Sequence, residues 1–237
     1  IATGSSPREF PGIPFDGTRV LSSDHVLALT AVPNRTAIIG GGAIGCEFAS
    51  YLADVGSSVT VLESMPSILP GVDTEVAEIV GRMFKRRRIT VRTGVTVEGA
   101  EVGIDSVSVR LTQDNAQVAL EADVVVVSIG RTPNTAGCGL ENSGIEINPQ
   151  GYIQVDAAMQ TTVAGVYAVG DVVATPQLAH VAFAEAIVAI KSILGESPRP
   201  IDYTRVPWGI YCHPEVAFCG PTEDAARAAG QDVVVSV

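Results

Sequence analysis

Residues with the types and spacing to do chemistry are concentrated in TAIIGGGAIGCEFAS (Thr36–Ser50), where Gly40, Gly42 and Gly45 form a G-x-G-x-x-G pattern. A strand-like run, TAIIG, leads into the glycines and a helix-like run, AIGCEFASYLADVG, leads out, which is the context the pattern requires. The three glycines answer to different constraints. Gly40 permits a tight turn, Gly42 lets the backbone approach a pyrophosphate, and Gly45 lets the helix pack closely on the strand. Gly41, Ala43, Ile44 and Cys46 complete the loop and first helical turn, whose unpaired N–H groups and partial positive charge favour an anion. The second strand, VTVLE, ends on Glu63, about twenty residues beyond the glycines, where a carboxylate accepts hydrogen bonds from a ribose 2′-OH and repels a 2′-phosphate. The stretch therefore reads as a site for NAD(H) in preference to NADP(H). Glu47, in the first turn of the same helix, has two open readings: an acid complementing the helix dipole, or one facing the nicotinamide end of the cofactor.

The elements that must position these residues follow from the pattern. The helix closes at Gly56, and SVTVLES supplies the second strand. Asp73 stands where it can cap a further helix, whose Val76, Ile79, Val80, Met83 and Phe84 fall on one buried stripe. That helix ends in the cations Lys85 to Arg88, which complement its dipole and face water. ITVRT is another strand, residues 98–123 alternate like a small antiparallel meander, and VVVVSIG is apolar on both faces, as a central parallel strand is. GIEINPQGYIQVD and GVYAVGDV are less regular, and a helix over PQLAHVAFAEAIVAIKSILG follows them. Pro198 and Pro200 mark a linker, beyond which VPWGIYCHPEVAFCG and TEDAARAAG open a different strand-then-helix unit. At the ends, IATGSS reads as a strand entering a tight turn and QDVVVSV as an unfinished strand, so the chain is expected to be a piece of a longer protein.

With 237 residues, 46% of them apolar, the chain can bury a sizeable core, and a net charge of −11 leaves no cationic surface for nucleic acid or acidic lipid. No run approaches the ~20 apolar residues that span a bilayer, and no apolar leader is present, so the expected setting is soluble and cytoplasmic. Cys46, Cys138, Cys212 and Cys219 are scattered without ligand-like pairing, which points to buried reduced thiols and to no metal site.

IATGS, GGGAIGCEFAS, VTVLESMPSILPGVD, VVVVSIGRTPNT, GVYAVGDVVATPQLAHVAFAEAI and YCHPEVAFCGPTE together resemble the flavoprotein disulfide reductases, in their dihydrolipoyl dehydrogenase branch, and occur in that family's order. The resemblance implies an α/β architecture of Rossmann-like, three-layer FAD- and NAD-binding domains with an antiparallel meander, followed by the start of an α+β interface domain. Residues 1–30 would be the tail of a first FAD half-domain, 31–135 the NAD domain, 136–198 the second FAD half-domain and 199–237 the beginning of the interface domain. It implies FAD contacts at Thr3, Gly4 and Ser5, at Gly170 and Asp171, whose carboxylate would hold a ribityl hydroxyl, and along Gln177, Leu178, Ala179 and His180. On the NAD side it adds Val97, beside the adenine, and Gly130. Read without the family, Asp171 is a loop cap and His180 a packing or capping residue.

The implied reaction of a complete homodimeric enzyme is oxidation of a dihydrolipoyl dithiol of a 2-oxo acid dehydrogenase complex through a disulfide and FAD, with hydride delivered to NAD⁺. A soluble transhydrogenase, a mercuric reductase and an NADH oxidase stay open as alternatives, as does a nucleotide-binding piece without catalysis. The family's N-terminal glycine motif, its Cys-x-x-x-x-Cys pair and its His-x-x-x-x-Glu pair have no counterpart in this sequence. No catalytic residue is therefore assigned, and this chain alone is expected to be inactive. The FAD-side strands IATGS and GVYAVGD are expected to lack neighbours, and the helix after Pro176 to expose an apolar face.

Overall fold

The structure, a computed structural model, describes residues 1–236. In chain order the first elements are β1 (Ser5–Pro7), β2 (Val20–Leu21), α1 (Ser23–Leu27), β3 (Arg35–Ile39), α2 (Ala43–Asp54), β4 (Ser58–Leu62), α3 (Thr74–Arg86) and β5 (Thr90–Arg92). A meander of β6 (Thr96–Val102), β7 (Val107–Gln113) and β8 (Ala116–Ala122) precedes β9 (Val124–Val127) and β10 (Arg131–Pro133). The rest comprises α4 (Ala179–Ile193), a hairpin of β11 (Pro207–Ile210) and β12 (Val216–Cys219), and α5 (Glu223–Ala228). The chain divides into two compact units, one of residues 1–6 with 131–206 and a larger one of residues 7–130 with 207–237.

The larger unit is built on a parallel sheet in the order β2-β9-β3-β4-β5. Its strand β9 reads as an unbroken apolar run because both of its faces are covered: all of Val124–Val127 are buried. On one face Cys46, Ala49 and Leu52 of α2 and Ala77, Val80 and Phe84 of α3 pack against Ile38, Val59, Val61 and Val126. On the other, Val107, Val109 and Leu111 of β7 pack against Ala37, Ile39, Leu62, Val125 and Val127. Meander, parallel sheet and helices are thus the three layers that the sequence implies.

Several local expectations change on contact with the tertiary structure. The stripe of α3 is narrower than its spacing suggests, because Ile79 is 46% exposed and Ala77 takes the inward position. Asp73 occupies the N-cap of α3 but makes no cap hydrogen bond; its carboxylate accepts the N–H of Glu223 at the start of α5 instead. In the basic run, Arg87 does not simply face water. Its guanidinium donates to Ser50 Oγ and O, to His213 O and to Asp54, tying α3 to α2 and to the loop of the β11–β12 hairpin. That hairpin, together with Cys212, joins the helix-side core through Ile210 and Val216. The QDVVVSV stretch forms no strand over residues 231–236, and its last residue, Val237, lies outside the described residues.

In the smaller unit β1 pairs with β10, and Leu140, Ile153, Ala168, Val172 and Val173 form a small core joined by Ile1. Ile1 and the 167–169 backbone bond one another, Ile1 N to Tyr167 O at 2.6 Å and Val169 N to Ile1 O at 3.0 Å. The two stretches expected to lack neighbours are therefore each other's partner. The outer face of α4 is apolar, with Phe183, Ile187, Ile190 and Leu194 each more than half exposed. Among the described residues no helix is long and apolar enough to cross a membrane.

Candidate functional site

The glycine turn lies between the end of β3 and the start of α2, and each glycine meets the constraint its position imposes. Gly40 has φ +104, and a Cβ there would fall 2.5 Å from Ser128 O. At Gly45 a Cβ would fall 1.9 Å from Gly40 O, so the helix can sit against the turn only without one. At Gly42 a Cβ would meet nothing within 4 Å; the backbone faces open space. Gly42 is also the N-cap of α2 and offers no side chain, so the first N–H groups of the helix are left for water or a ligand.

A pocket of about 390 Å³ opens over this turn, lined by Gly40, Gly42, Ala43 and Ile44 on one side and by Glu63, Val97 and Gly130 among others. Gly41, Gly45 and Cys46 lie buried beneath it. Of the eleven residues named for the NAD side, seven thus fall in one lining, Gly41, Gly45 and Cys46 are buried, and Glu47 is outside the lining.

Glu63 is only 7% exposed, and its carboxylate is already engaged: Oε2 accepts Gly41 N–H at 2.7 Å, and Oε1 accepts Met65 N–H at 2.8 Å and Ser64 Oγ at 3.2 Å. The acid therefore holds the glycine turn to the end of β4 as well as bordering the pocket. Glu47 has a partner that neither reading foresees. Its Oε1 accepts Tyr211 N–H at 2.8 Å, joining α2 to the hairpin.

The FAD-side residues are gathered in the smaller unit. Thr3 Oγ1 donates to Asn134 O, Gly4 (φ +71) accepts Asn134 N–H, and Ser5 Oγ donates to Asp171 Oδ2 at 2.7 Å. Arg131 Nε donates to Ser5 Oγ at 2.6 Å and lies 3.7 Å from Asp171 Oδ2. Gly170 and Asp171 form a 3-10 turn with Val172, and Gly170 N–H donates to Glu185 Oε2. Leu178 is the N-cap of α4, and Ala179 and His180 are exposed in its first turn. Gln177 Nε2 is buried without a hydrogen-bond partner among the described residues.

Sequence reading missed Arg131 and Glu185. Arg131 carries no spacing signal, but Glu185 is a lone acid in an apolar helix at the position of the buried stripe Val181, Val188 and Ala189, and that is a readable sign. The thiols also depart from expectation: Cys46 and Cys212 are buried, whereas Cys138 and Cys219 are exposed. Burial, followed by the nearby Cys212, Glu63 and Glu47, pushes the Cys46 thiol far up, and burial raises Cys212 too. Since the thiolate is the nucleophile, a thiol-exchange dye added to the native chain is expected to titrate two cysteines rapidly and the other two only in denaturant. Rapid reaction of all four would contradict this burial.

The chain matches the family model for pyridine nucleotide-disulphide oxidoreductases over residues 1–186. It is 42% identical, over 99% of its length, to a dihydrolipoyl dehydrogenase of Bacillus subtilis, of which it covers 50%. A crystal structure of LpdA from Mycobacterium tuberculosis superposes with a TM-score of 0.88 at 32% identity, covering 96% of this chain and 49% of that one. The HOCl-induced flavoprotein disulfide reductase RclA from Escherichia coli gives 0.86 at 32% identity, covering 97% and 52%. The chain spans about half the length of the curated relatives it matches. With a family model covering well over half its residues, the chain belongs to the pyridine nucleotide-disulphide oxidoreductases.

Proposed function

We propose that the pocket over the glycine turn binds NAD(H), and that the smaller unit contributes to a flavin site, within an oxidoreductase of the dihydrolipoyl dehydrogenase type. The observation that carries the reading is the turn itself. Gly42 presents bare backbone to a cavity at the N-terminus of α2 while Gly40 and Gly45 admit no Cβ, and a carboxylate stands on the facing strand end.

The residues present fit the dinucleotide. The open space above Gly42 and the uncapped helix start would take the pyrophosphate, and Glu63 would accept a ribose hydroxyl with its remaining lone pairs while excluding a 2′-phosphate. They also suit a flavin in part. The orphaned Gln177 Nε2 is a donor in need of an acceptor, and the Asp171 carboxylate, held at Oδ2 by Ser5, stays partly exposed. Bound together, the two cofactors supply hydride transfer between reduced flavin and nicotinamide. What this chain's residues contribute is orientation: the turn fixes the dinucleotide, and the Ser5, Arg131 and Asp171 network fixes the carboxylate. For the whole enzyme we assign a protein-bound dihydrolipoyl dithiol as electron donor, a reading supported by the name of the Bacillus subtilis relative.

The deciding experiment is a fluorescence titration of the purified chain with NADH and, separately, NADPH. Saturable NADH binding at least about tenfold tighter than NADPH is expected, since a carboxylate facing a 2′-phosphate costs at least about 1.4 kcal/mol. Equal affinity, or none for NADH, would sink the assignment.

A further inference from the structure

Glu185 is 0% exposed, in the middle of α4, and no ion pair reaches it among the described residues. A buried carboxylate is tolerated only when donors serve it. Within the smaller unit two do, Gly170 N–H to Oε2 at 2.6 Å and Tyr203 O–H to Oε1 at 3.0 Å. Desolvation, and then the charge of Glu185, push the Tyr203 phenol up, which keeps it in its donor form.

The first of these bonds reaches directly to the peptide that precedes Asp171. Gly170 has φ +76 and opens the turn Gly170–Val172, so its N–H sets where the Asp171 side chain leaves the backbone. Ser5 and Arg131 then hold the far end of that side chain. Glu185 shares the buried face of α4 with Val181, Val188 and Ala189, so the acid stands against the local hydrophobic pattern.

We propose that Glu185 is a positioning residue for Asp171: one oxygen anchors Gly170 N–H, the other is braced by Tyr203, and the 170–172 turn is thereby locked to α4 with the Asp171 carboxylate aimed at a flavin ribityl hydroxyl. The inference rests on the flavin reading above, but its first half concerns the protein alone.

The test therefore has two readouts on the full chain, the NMR signal of the Gly170 amide without flavin and the affinity for FAD by flavin fluorescence. Glu185→Leu is expected to speed exchange of the Gly170 amide proton about tenfold or more, as loss of one buried hydrogen bond does, and to weaken FAD by a similar factor. Glu185→Gln keeps an acceptor for Gly170 and offers an N–H to the Tyr203 oxygen. Its Gly170 proton should shift upfield, as a charge-assisted bond becomes a neutral one, while exchange stays within about threefold of the parent. An unchanged Gly170 shift in Glu185→Gln overturns the proposal, and this near-isosteric variant decides the matter even if Glu185→Leu does not fold. Parent-like FAD affinity in Glu185→Leu, with Gly170 loosened, overturns the positioning of Asp171. If the unsubstituted chain binds no FAD, it is the flavin reading that fails, and the amide measurement still decides whether Glu185 anchors the turn.

Discussion

Gly45→Ala is expected to destabilise the larger unit by about 3 kcal/mol and to abolish measurable NADH binding. The added methyl would lie 1.9 Å from Gly40 O and 2.8 Å from Ser128 Oγ. Overpacking commonly costs about 1–3 kcal/mol because side chains can shift aside, but here the obstacle is backbone of the turn itself. Relief requires the first turn of α2 to move off β3, which opens the layer where Cys46 and Ala49 pack on Ile38. On thermal denaturation this should appear as a fall of about 10 °C in the melting of that unit. Gly42→Ala is the matched control. Its methyl meets no protein atom within 4 Å, so stability should change by under about 1 kcal/mol, yet the methyl occupies the space assigned to the pyrophosphate, and NADH affinity should fall about tenfold or more. Parent-like melting of Gly45→Ala would refute the close-packing role, and parent-like NADH binding by Gly42→Ala would remove the dinucleotide from this turn.

Glu63→Ala should cost stability before any ligand is added, and then cost affinity. The substitution strips the acceptor from Gly41 N–H and Met65 N–H, both now served by one buried carboxylate. An unsatisfied buried donor costs about 1–3 kcal/mol; since the adjoining pocket admits water, about 2 kcal/mol in total is expected, read as a shift in the denaturant midpoint. Loss of a charged hydrogen-bond acceptor for the ribose, worth about 1.5–3 kcal/mol, should weaken NADH by about ten- to a hundredfold. In Glu63→Gln the amide oxygen can satisfy one of the two backbone donors while its NH₂ faces the other, so stability should fall part of the way. With the negative charge gone, the NADH over NADPH preference should narrow, as calorimetric titration would measure. If Glu63→Gln matches the parent in midpoint, NADH affinity and coenzyme preference alike, Glu63 is neither the brace of the turn nor its ribose acceptor. Because the same carboxylate serves both turn and ribose, removing it to admit a 2′-phosphate should not convert the site cleanly to NADPH.

How far these features are legible in advance depends on the range of the interactions behind them. Gly40, Gly42 and Gly45 are constrained by a turn a few residues long, and Val124–Val127 by burial on both faces, so spacing and composition identify them, while the three layers around them are implied by the family resemblance. Side-chain partners are another matter. Asp73 reads as the cap of its own helix yet serves α5; Glu47 stands between dipole and nicotinamide on its spacing yet binds Tyr211; Arg87 reads as solvated yet joins three elements. In each case the partner is more than thirty residues away, and a charged group goes to whichever donor or acceptor the packing leaves unsatisfied. The sequence by itself determined the glycine turn and the central strand, because local backbone geometry and hydrophobic period are properties of neighbouring residues, and its ordered motifs carried the resemblance that implied the family and the architecture. Only the tertiary structure decided that Glu63 braces that turn, that Glu185 anchors Gly170 and that Ile1 finds Tyr167, because hydrogen bonds between distant segments exist only once the core has brought them together.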